Sequence, residues 1–250
     1  ARQWLTDHLS KCIEDYGLDC YRNDFNIDPL DFWKRTDTPD REGMTEIRYI
    51  EGLYTMWDEL LARHPGLYID DCASGGRRID LEMCSRSLPL WRSDTNCAPN
   101  NADWNPGHAI GISYYLPAHN ACAWQAEPYV VRAASTAGLI CQFDYRAPEF
   151  DREKARRLVE EAKSMRKYWY GDLYPMTLGL NGPGHWCAFQ LHRADLNEGI
   201  VMVFRRTQSP YTHFQVTMRA LDPDATYALE RHFEDGSITK EAYTGAQLCG

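Results

Sequence analysis

The chain has 250 residues, which at ~150 residues per domain corresponds to one large domain or one and a half ordinary ones. Its 36 acidic residues outnumber its 27 basic ones, and the net charge of −9 disfavours binding to nucleic acid or to an anionic membrane surface. The hydrophobic fraction of 44% and the charged fraction of 25% exclude a disordered chain, and no apolar run approaches the ~20 residues of a membrane helix.

The chain begins ARQW, without a methionine or a signal peptide, and residues 4–16 carry apolar side chains at helical spacing. We therefore expect it to be the C-terminal part of a longer protein. The nine cysteines form no C-x-x-C pair and favour buried free thiols in a reducing compartment.

Helical and strand-like patterns alternate over the first 180 residues. Helices are predicted at 4–16, 44–61 and 152–168, with Asp151 as an N-cap, and strands at 18–22, 67–71, 88–92, 112–116 and 139–143. Polar residues follow the carboxyl end of each predicted strand, as is typical of (β/α) barrels and doubly wound sheets. A closed barrel needs eight strands, so about three strands are expected to precede this chain.

The pattern changes near residues 181–184, where alternating polar and apolar runs begin. They predict strands at 186–191, 199–204, 214–218 and 226–229. We predict two domains, 1–180 and 181–250, of which the second is a small antiparallel β domain.

Most of the familiar catalytic and metal-binding motifs do not occur in this sequence. The sequence carries no zinc-binding or calcium-binding motif, no phosphate-binding glycine loop and no nucleophile elbow, and no motif supplies a histidine partner for Cys72. What remains is a pair of carboxylates, Asp24 and Asp94, each at the end of a predicted strand and flanked by polar and aromatic residues. Glycoside hydrolysis needs such a pair, although a single strand-end aspartate is more often a helix cap or a loop charge.

Three segments resemble active-site motifs of glycoside hydrolase family 36 α-galactosidases. Residues 21–26 (YRNDFN) are similar to the family's K-W-D-M-N segment, residues 72–81 (CASGGRRIDL) to C-S/A-S/G-G-G-x-R-x-D, and residues 90–94 (LWRSD) to W-x-S-D. Residues 168–174 and 219–224 resemble the end of the family's barrel and its C-terminal domain. The matches occur in family order over almost the whole chain.

The resemblance implies an α/β fold, a (β/α)8 TIM-type barrel of which about five strands are present, followed by an antiparallel β-sandwich domain. It implies a retaining α-galactosidase acting on oligosaccharides, with Asp24 as nucleophile and Asp94 as acid/base, and neither cofactor nor metal. A possible homo-oligomer and a cytoplasmic location are also expected from it. The residues implied to bind galactose are Arg22, Asn23, Asn26, Cys72, Gly75 and Trp91.

The sequence departs from the family where Arg22-Asn23 replaces Lys-Trp before the nucleophile. This leaves three alternatives open: an α-N-acetylgalactosaminidase, a raffinose-type glycosyl transferase, or a non-catalytic carbohydrate-binding remnant. The segment alone is expected to be inactive, because a five-strand sheet leaves an open edge. Asp70 and Asp71 are expected to be structural, and packing is the expected role of Trp124, Tyr129 and Trp186.

Overall fold

A computed structural model describes residues 1–116, 118–135, 138–177 and 182–250. The chain divides into two compact units, Ala1–Asp94 and Thr95–Gly250. The boundary predicted between residues 180 and 181 lies outside the described residues, and the predicted division into two domains stays a prediction.

The first unit is built around two parallel strands. Its elements are α1 (Arg2–Tyr16), β1 (Cys20–Asp24), α2 (Leu30–Thr36), α3 (Met44–Arg63), β2 (Tyr68–Cys72) and α4 (Leu81–Cys84). The two strands pair from Cys20 with Tyr68 to Asp24 with Cys72, so their carboxyl ends lie side by side. Helix α3 covers them through Trp57 and Leu60, both fully buried in a core shared with Ile69 of β2.

The second unit contains one more parallel pair and two antiparallel sheets. Its elements are α5 (Asn105–Ser113), β3 (Ala121–Ala123), α6 (Pro128–Ala134), β4 (Leu139–Cys141), α7 (Arg152–Met165), β5 (Asp172–Pro175), β6 (Trp186–Arg193), β7 (Glu198–Arg205), β8 (Thr226–His232), β9 (Ile238–Thr244) and α8 (Gly245–Cys249). Strands β3 and β4 are parallel, whereas β5-β6-β7 and β8-β9 are antiparallel. Helix α7 packs against the β5-β6-β7 sheet through Met165 and Phe189.

Most predicted elements are confirmed, and three predicted strands are wrong. At residues 88–92 the structure has an isolated bridge from Leu88 to Asp70. Pro89 has no N–H to donate, and the Leu90 N–H donates to the Asp70 carboxylate at 3.1 Å instead of to a neighbouring strand.

The strand predicted at 112–116 is the end of helix α5. Pro106 stands in the first turn of that helix, and the N–H groups of Tyr115 and Leu116 both donate to the Ile112 carbonyl, which continues the helical path. The β-branched and aromatic residues that suggested a strand therefore lie on a helical turn.

Three strands of the structure, β3, β5 and β9, were not predicted from the sequence.

The third wrong strand, 214–218, belongs to none of the sheets in the described part of the chain. Its end is held by the buried Gln190 side chain, which donates to the Arg219 carbonyl at 2.8 Å and accepts from the Arg219 N–H at 2.9 Å. Within the segment, the Met218 N–H donates to the Leu248 carbonyl at 3.0 Å.

The structure also bears on the predicted helix cap, on three aromatic side chains and on the cysteines. Asp151 accepts from the Lys154 N–H at 2.9 Å, which confirms it as the N-cap of α7. Trp124 donates to the Asn96 carbonyl, and the rings of Tyr129 and Trp186 pack against other aromatic side chains. All nine cysteines are free, but burial was overpredicted, since Cys97 and Cys141 are exposed.

None of the helices in the described ranges is long and apolar enough to cross a membrane.

Candidate active site

The carboxyl ends of β1 and β2 bring Asp24 and Cys72 together. The two residues are partners in the last register pair of the two strands. Burial raises the pKa of the Cys72 thiol, the Gly75 backbone and the charge of Arg22 lower it, and the charge of Asp24 raises it. The Asp24 carboxylate itself is exposed, with 37% of its side chain accessible, so a ligand can reach it.

Arg22 lies on the same face of β1, two residues before Asp24. One guanidinium nitrogen, Nη1, donates to the buried Asp70 carboxylate, and the other, Nη2, lies 3.5 Å from Oδ2 of Asp24. Asp70 therefore holds the guanidinium in a fixed position, and Arg22 supplies positive charge beside Asp24. Asp70 was expected to be structural, and its role in the structure is to orient Arg22, a predicted site residue.

Asn26 and the turn after β2 are joined directly. The backbone N–H and the hydroxyl of Ser74 both donate to Oδ1 of Asn26, at 2.7 Å and 3.1 Å. Ser74 has a positive φ of 48°, a conformation that costs energy for a residue with a Cβ. The loop after β1 and the turn after β2 are therefore fixed to each other on the rim of the site.

The backbone of Asp94 meets the same turn at Gly75. A Cβ built at Gly75 would lie 2.6 Å from the Asp94 backbone nitrogen, and the φ of Gly75 is +77°. The Trp91 indole N–H donates to Oδ1 of Asp94 at 3.1 Å. Asp24 and Asp94 thus adjoin the two ends of one short turn, residues 72–75, with Cys72 against the first and Gly75 against the second.

We expect Gly75→Ala to destabilise the protein by about 2–4 kcal/mol, because it adds a clash with the Asp94 backbone to the cost of a positive φ. Gly17→Ala is the matched control, since Gly17 has a φ of +62° and open space around it. It should cost about 1–2 kcal/mol. The shift of the urea unfolding midpoint in the full-length protein measures both. Equal shifts would show that the close approach of Gly75 to Asp94 contributes nothing.

Asn23 makes different contacts from Arg22 and Asp24. Neighbouring residues of a strand face opposite sides, so Asn23 lies on the other face of β1 from Arg22 and Asp24. Its Oδ1 accepts from the Tyr21 hydroxyl at 3.0 Å, and Tyr21 packs against the core of the first unit. Asn23 nevertheless lines the same open groove as Arg22 and Asp24.

Asp71 is a buried carboxyl on the core side of β2. It is 4% exposed, and its Oδ1 meets no hydrogen-bond donor among the described residues. Burial raises its pKa to about 6, the charge of Arg78 acts in the opposite direction, and the charges of Asp70 and Asp80 raise it further.

This raised pKa makes stability depend on pH. The native carboxyl binds a proton more tightly than the unfolded one, whose ordinary pKa is 3.8, so the contribution of Asp71 to stability falls as pH rises from about 4 to 6. Between pH 4 and pH 7, we expect the free energy of unfolding of Asp71→Asn to rise relative to that of wild type by up to about 3 kcal/mol. Urea unfolding across that range tests it, with the exposed Asp19→Asn as control. A constant difference between variant and wild type would contradict the assignment.

An open groove of about 690 Å³ runs along Asp24 and is lined in part by Arg22, Phe25 and Tyr49. This volume lies in the range of sites that hold small organic ligands. In the described part of the chain, no group of three or more histidine, cysteine, aspartate or glutamate side chains is arranged to hold a metal ion. The groups at this site are carboxylates, a guanidinium, a thiol and amides, which suit acid–base and nucleophilic chemistry on a hydroxyl-rich ligand.

The Melibiase family model matches residues 1–120, the part of the chain that contains this site. Two curated α-galactosidases match most of the chain: Mel36A of Lactobacillus acidophilus, 21% identical over 91% of this chain, and AgaA of Geobacillus stearothermophilus, 24% identical over 91%. The predicted resemblance to family 36 α-galactosidases is thereby confirmed.

Solved structures agree on the fold. The α-galactosidase of Lactobacillus brevis matches 99% of this chain with a TM-score of 0.79 at 22% identity. Two variants of AgaA, solved with stachyose and with raffinose, match it with TM-scores of 0.75 and 0.72 at 19% identity. The chain spans about a third of the length of the relatives that it matches, 32% of Mel36A and 34% of the L. brevis chain.

The structure places Arg22, Asn23 and Asp24 along one groove, and Asn26, Cys72, Gly75, Trp91 and Asp94 at or next to the 72–75 turn. Sequence reasoning missed Ser74 as the partner of Asn26, although Ser74 lies inside a segment that the motif comparison had already singled out. It also missed the ion pair between Arg22 and Asp70, because the two residues are 48 positions apart and meet only through the β1-β2 register.

Proposed function

We propose that the full-length protein containing this chain is a retaining α-galactosidase in which Asp24 is the nucleophile and Asp94 the acid/base. The observation that carries the proposal is that both aspartates adjoin one turn, with Asp24 paired to Cys72 in the strand register and the Asp94 backbone against Gly75. Retaining glycosidases need two carboxyl groups on one site, close enough to act on the same glycosidic bond.

In the first step the Asp24 carboxylate attacks the anomeric carbon of an α-galactoside. The bond to the glycosidic oxygen breaks, Asp94 donates its proton to that oxygen, and a β-linked galactosyl ester forms on Asp24. The exposed Asp24 carboxylate can approach the sugar, and Arg22, fixed by Asp70, keeps positive charge beside it.

In the second step water takes the place of the leaving alcohol. Asp94, now a carboxylate, takes a proton from the water as the water oxygen attacks the anomeric carbon. The ester bond to Asp24 breaks and α-galactose leaves. Two inversions give net retention, and both carboxyl groups return to their starting states.

The solved complexes support the choice of residues and substrate class. The AgaA variant with stachyose has an aspartate replaced by alanine, and the variant with raffinose has an aspartate replaced by asparagine. The two replaced positions are 70 residues apart in AgaA, and Asp94 also comes 70 residues after Asp24. α-Galactoside oligosaccharides are therefore our proposed substrates.

The same likeness supports a proposal for the fold of the whole protein. We propose that the parallel pairs β1-β2 and β3-β4 belong to a (β/α)8 barrel, and that a C-terminal antiparallel β-sandwich follows it. Two β-α-β crossovers with parallel pairing support the first part. The antiparallel sheets over residues 172–244 support the second.

The test is a substrate comparison with the full-length protein. We expect it to hydrolyse p-nitrophenyl α-galactoside and raffinose, and to release galactose first as the α anomer by proton NMR. Faster hydrolysis of p-nitrophenyl α-N-acetylgalactosaminide would replace the proposed sugar. Transfer to an added sugar in preference to water would replace hydrolysis. Failure to turn over any of these glycosides, in a folded protein, would contradict the proposal.

A further inference from the structure

Arg78 has no role in the site described above, although it stands in the segment that resembles a family motif. Its side chain is half-buried, and its Nη1 meets no hydrogen-bond acceptor within the described parts of the chain. A buried guanidinium nitrogen without an acceptor lowers the stability of the fold. We therefore looked for another favourable contact of the Arg78 side chain.

That contact is with Phe25, the residue next to Asp24. The guanidinium carbon of Arg78 lies 5.2 Å from the centre of the Phe25 ring, a distance at which a cation is attracted to the ring face. The same ring lies 5.9 Å from the ring of Tyr49, which in turn lies 5.3 Å from that of Trp33. Phe25 is therefore held between a cation and an aromatic cluster.

The charge of Arg78 is balanced from the core side by Asp71. Asp71 is buried, its Oδ1 also meets no donor among the described residues, and its carboxyl responds to the charge of Arg78. Opposite charges attract more strongly where burial keeps water away from them. The positive charge of Arg78 therefore acts both on the Asp71 carboxyl and on the Phe25 ring.

The backbone of Phe25 is fixed as well. Its N–H donates to the Cys72 carbonyl at 3.1 Å, beyond the last register pair of β1 and β2. With both ring and backbone held, the peptide that follows Asp24 cannot rotate freely. The direction of the Asp24 side chain therefore depends on the contacts of its neighbour.

We propose that Arg78 is a positioning residue for Asp24, acting through the ring of Phe25. The inference rests on the proposed function, because it assigns Asp24 the attack on the anomeric carbon. Loss of the Arg78 contact lets the Phe25 ring move and turns Asp24 away from the line of attack. A small displacement of a reacting group lowers the rate of the chemical step and leaves ground-state binding nearly unchanged.

The test compares Arg78→Met with Arg77→Met in the full-length protein. Both remove one positive charge, but Arg77 is exposed and makes no contact with Phe25 that the structure shows. We expect Arg78→Met to lower kcat on p-nitrophenyl α-galactoside about 10- to 100-fold with KM changed less than about threefold. Arg77→Met should stay within about twofold of wild type, and Arg78→Lys, which keeps the cation, should recover part of the loss.

Two further variants separate positioning from loss of stability. Leu60→Ala lowers the unfolding midpoint by opening the core and should leave kcat within about twofold of wild type. Phe25→Leu should lower kcat as Arg78→Met does, and adding Arg78→Met to it should change kcat by less than about twofold, because both act through the same ring.

Each outcome decides the question. Equal kcat in Arg78→Met and Arg77→Met, with an active wild type, overturns the inference and leaves the proposed function intact. The inference is also overturned if the double variant lowers kcat by the product of the two single-variant factors, because Phe25→Leu and Arg78→Met would then act independently. An inactive wild type overturns the proposed function and the inference together.

Discussion

Asp24→Ala is expected to lower the rate of α-galactoside hydrolysis by the full-length protein about 10⁴-fold or more. The variant keeps the groove, Arg22 and Asp94, but no group remains to form the galactosyl ester. The loss should appear in kcat for both raffinose and p-nitrophenyl α-galactoside, because attack by Asp24 is required whatever the leaving group. Steady-state kinetics with each substrate measure it.

Asp28→Ala is the matched control. Asp28 is exposed and only four residues further along the same loop, so its removal changes the net charge equally without touching the proposed pair. Its kcat should stay within about twofold of wild type. A loss of similar size in both variants would assign the effect to the charge or folding of the loop, and would remove the support for Asp24 as nucleophile.

Asp94→Ala is expected to separate the two substrates. Raffinose has a poor leaving group that needs the proton of Asp94, so its hydrolysis should fall about 10³- to 10⁴-fold. p-Nitrophenolate leaves without protonation, so formation of the galactosyl ester from the aryl substrate should be much less affected.

Pre-steady-state kinetics distinguish this result from a general loss of activity. With the aryl galactoside, Asp94→Ala should give a burst of p-nitrophenol followed by slow turnover, since the ester then lacks its base for hydrolysis. Equal losses on raffinose and on the aryl substrate, with no burst, would contradict the assignment of Asp94 as acid/base.

The sequence was most informative where local patterns decide the structure. Helix α7 and its cap at Asp151 follow from helical spacing and from one side chain placed before the first turn. The strand predicted at 88–92 failed because Pro89 and the Asp70 carboxylate divert its backbone hydrogen bonds. Asp70 lies about twenty positions before the predicted strand, so the local sequence pattern of residues 88–92 does not include it.

The same contrast holds for the site. The short motifs identified Asp24, Asp94 and the 72–75 turn, because each motif is a continuous segment. The partners that hold these segments together were not visible: Ser74 meets Asn26 across 48 positions, and Arg22 meets Asp70 across the same separation. Both contacts come from the parallel pairing of β1 with β2, a feature of the fold that neither segment encodes alone.

In the proposed mechanism, Asp24 and Asp94 act from opposite faces of one sugar. Azide provides the most direct measurement, because it can replace either missing carboxylate. We predict that Asp24→Ala with an aryl α-galactoside and azide gives β-galactosyl azide, formed on the face that Asp24 attacks, and that Asp94→Ala gives α-galactosyl azide from the trapped ester. Proton NMR of the products distinguishes the two anomers. The reverse assignment of anomers, or an azide product from neither variant, would contradict the account.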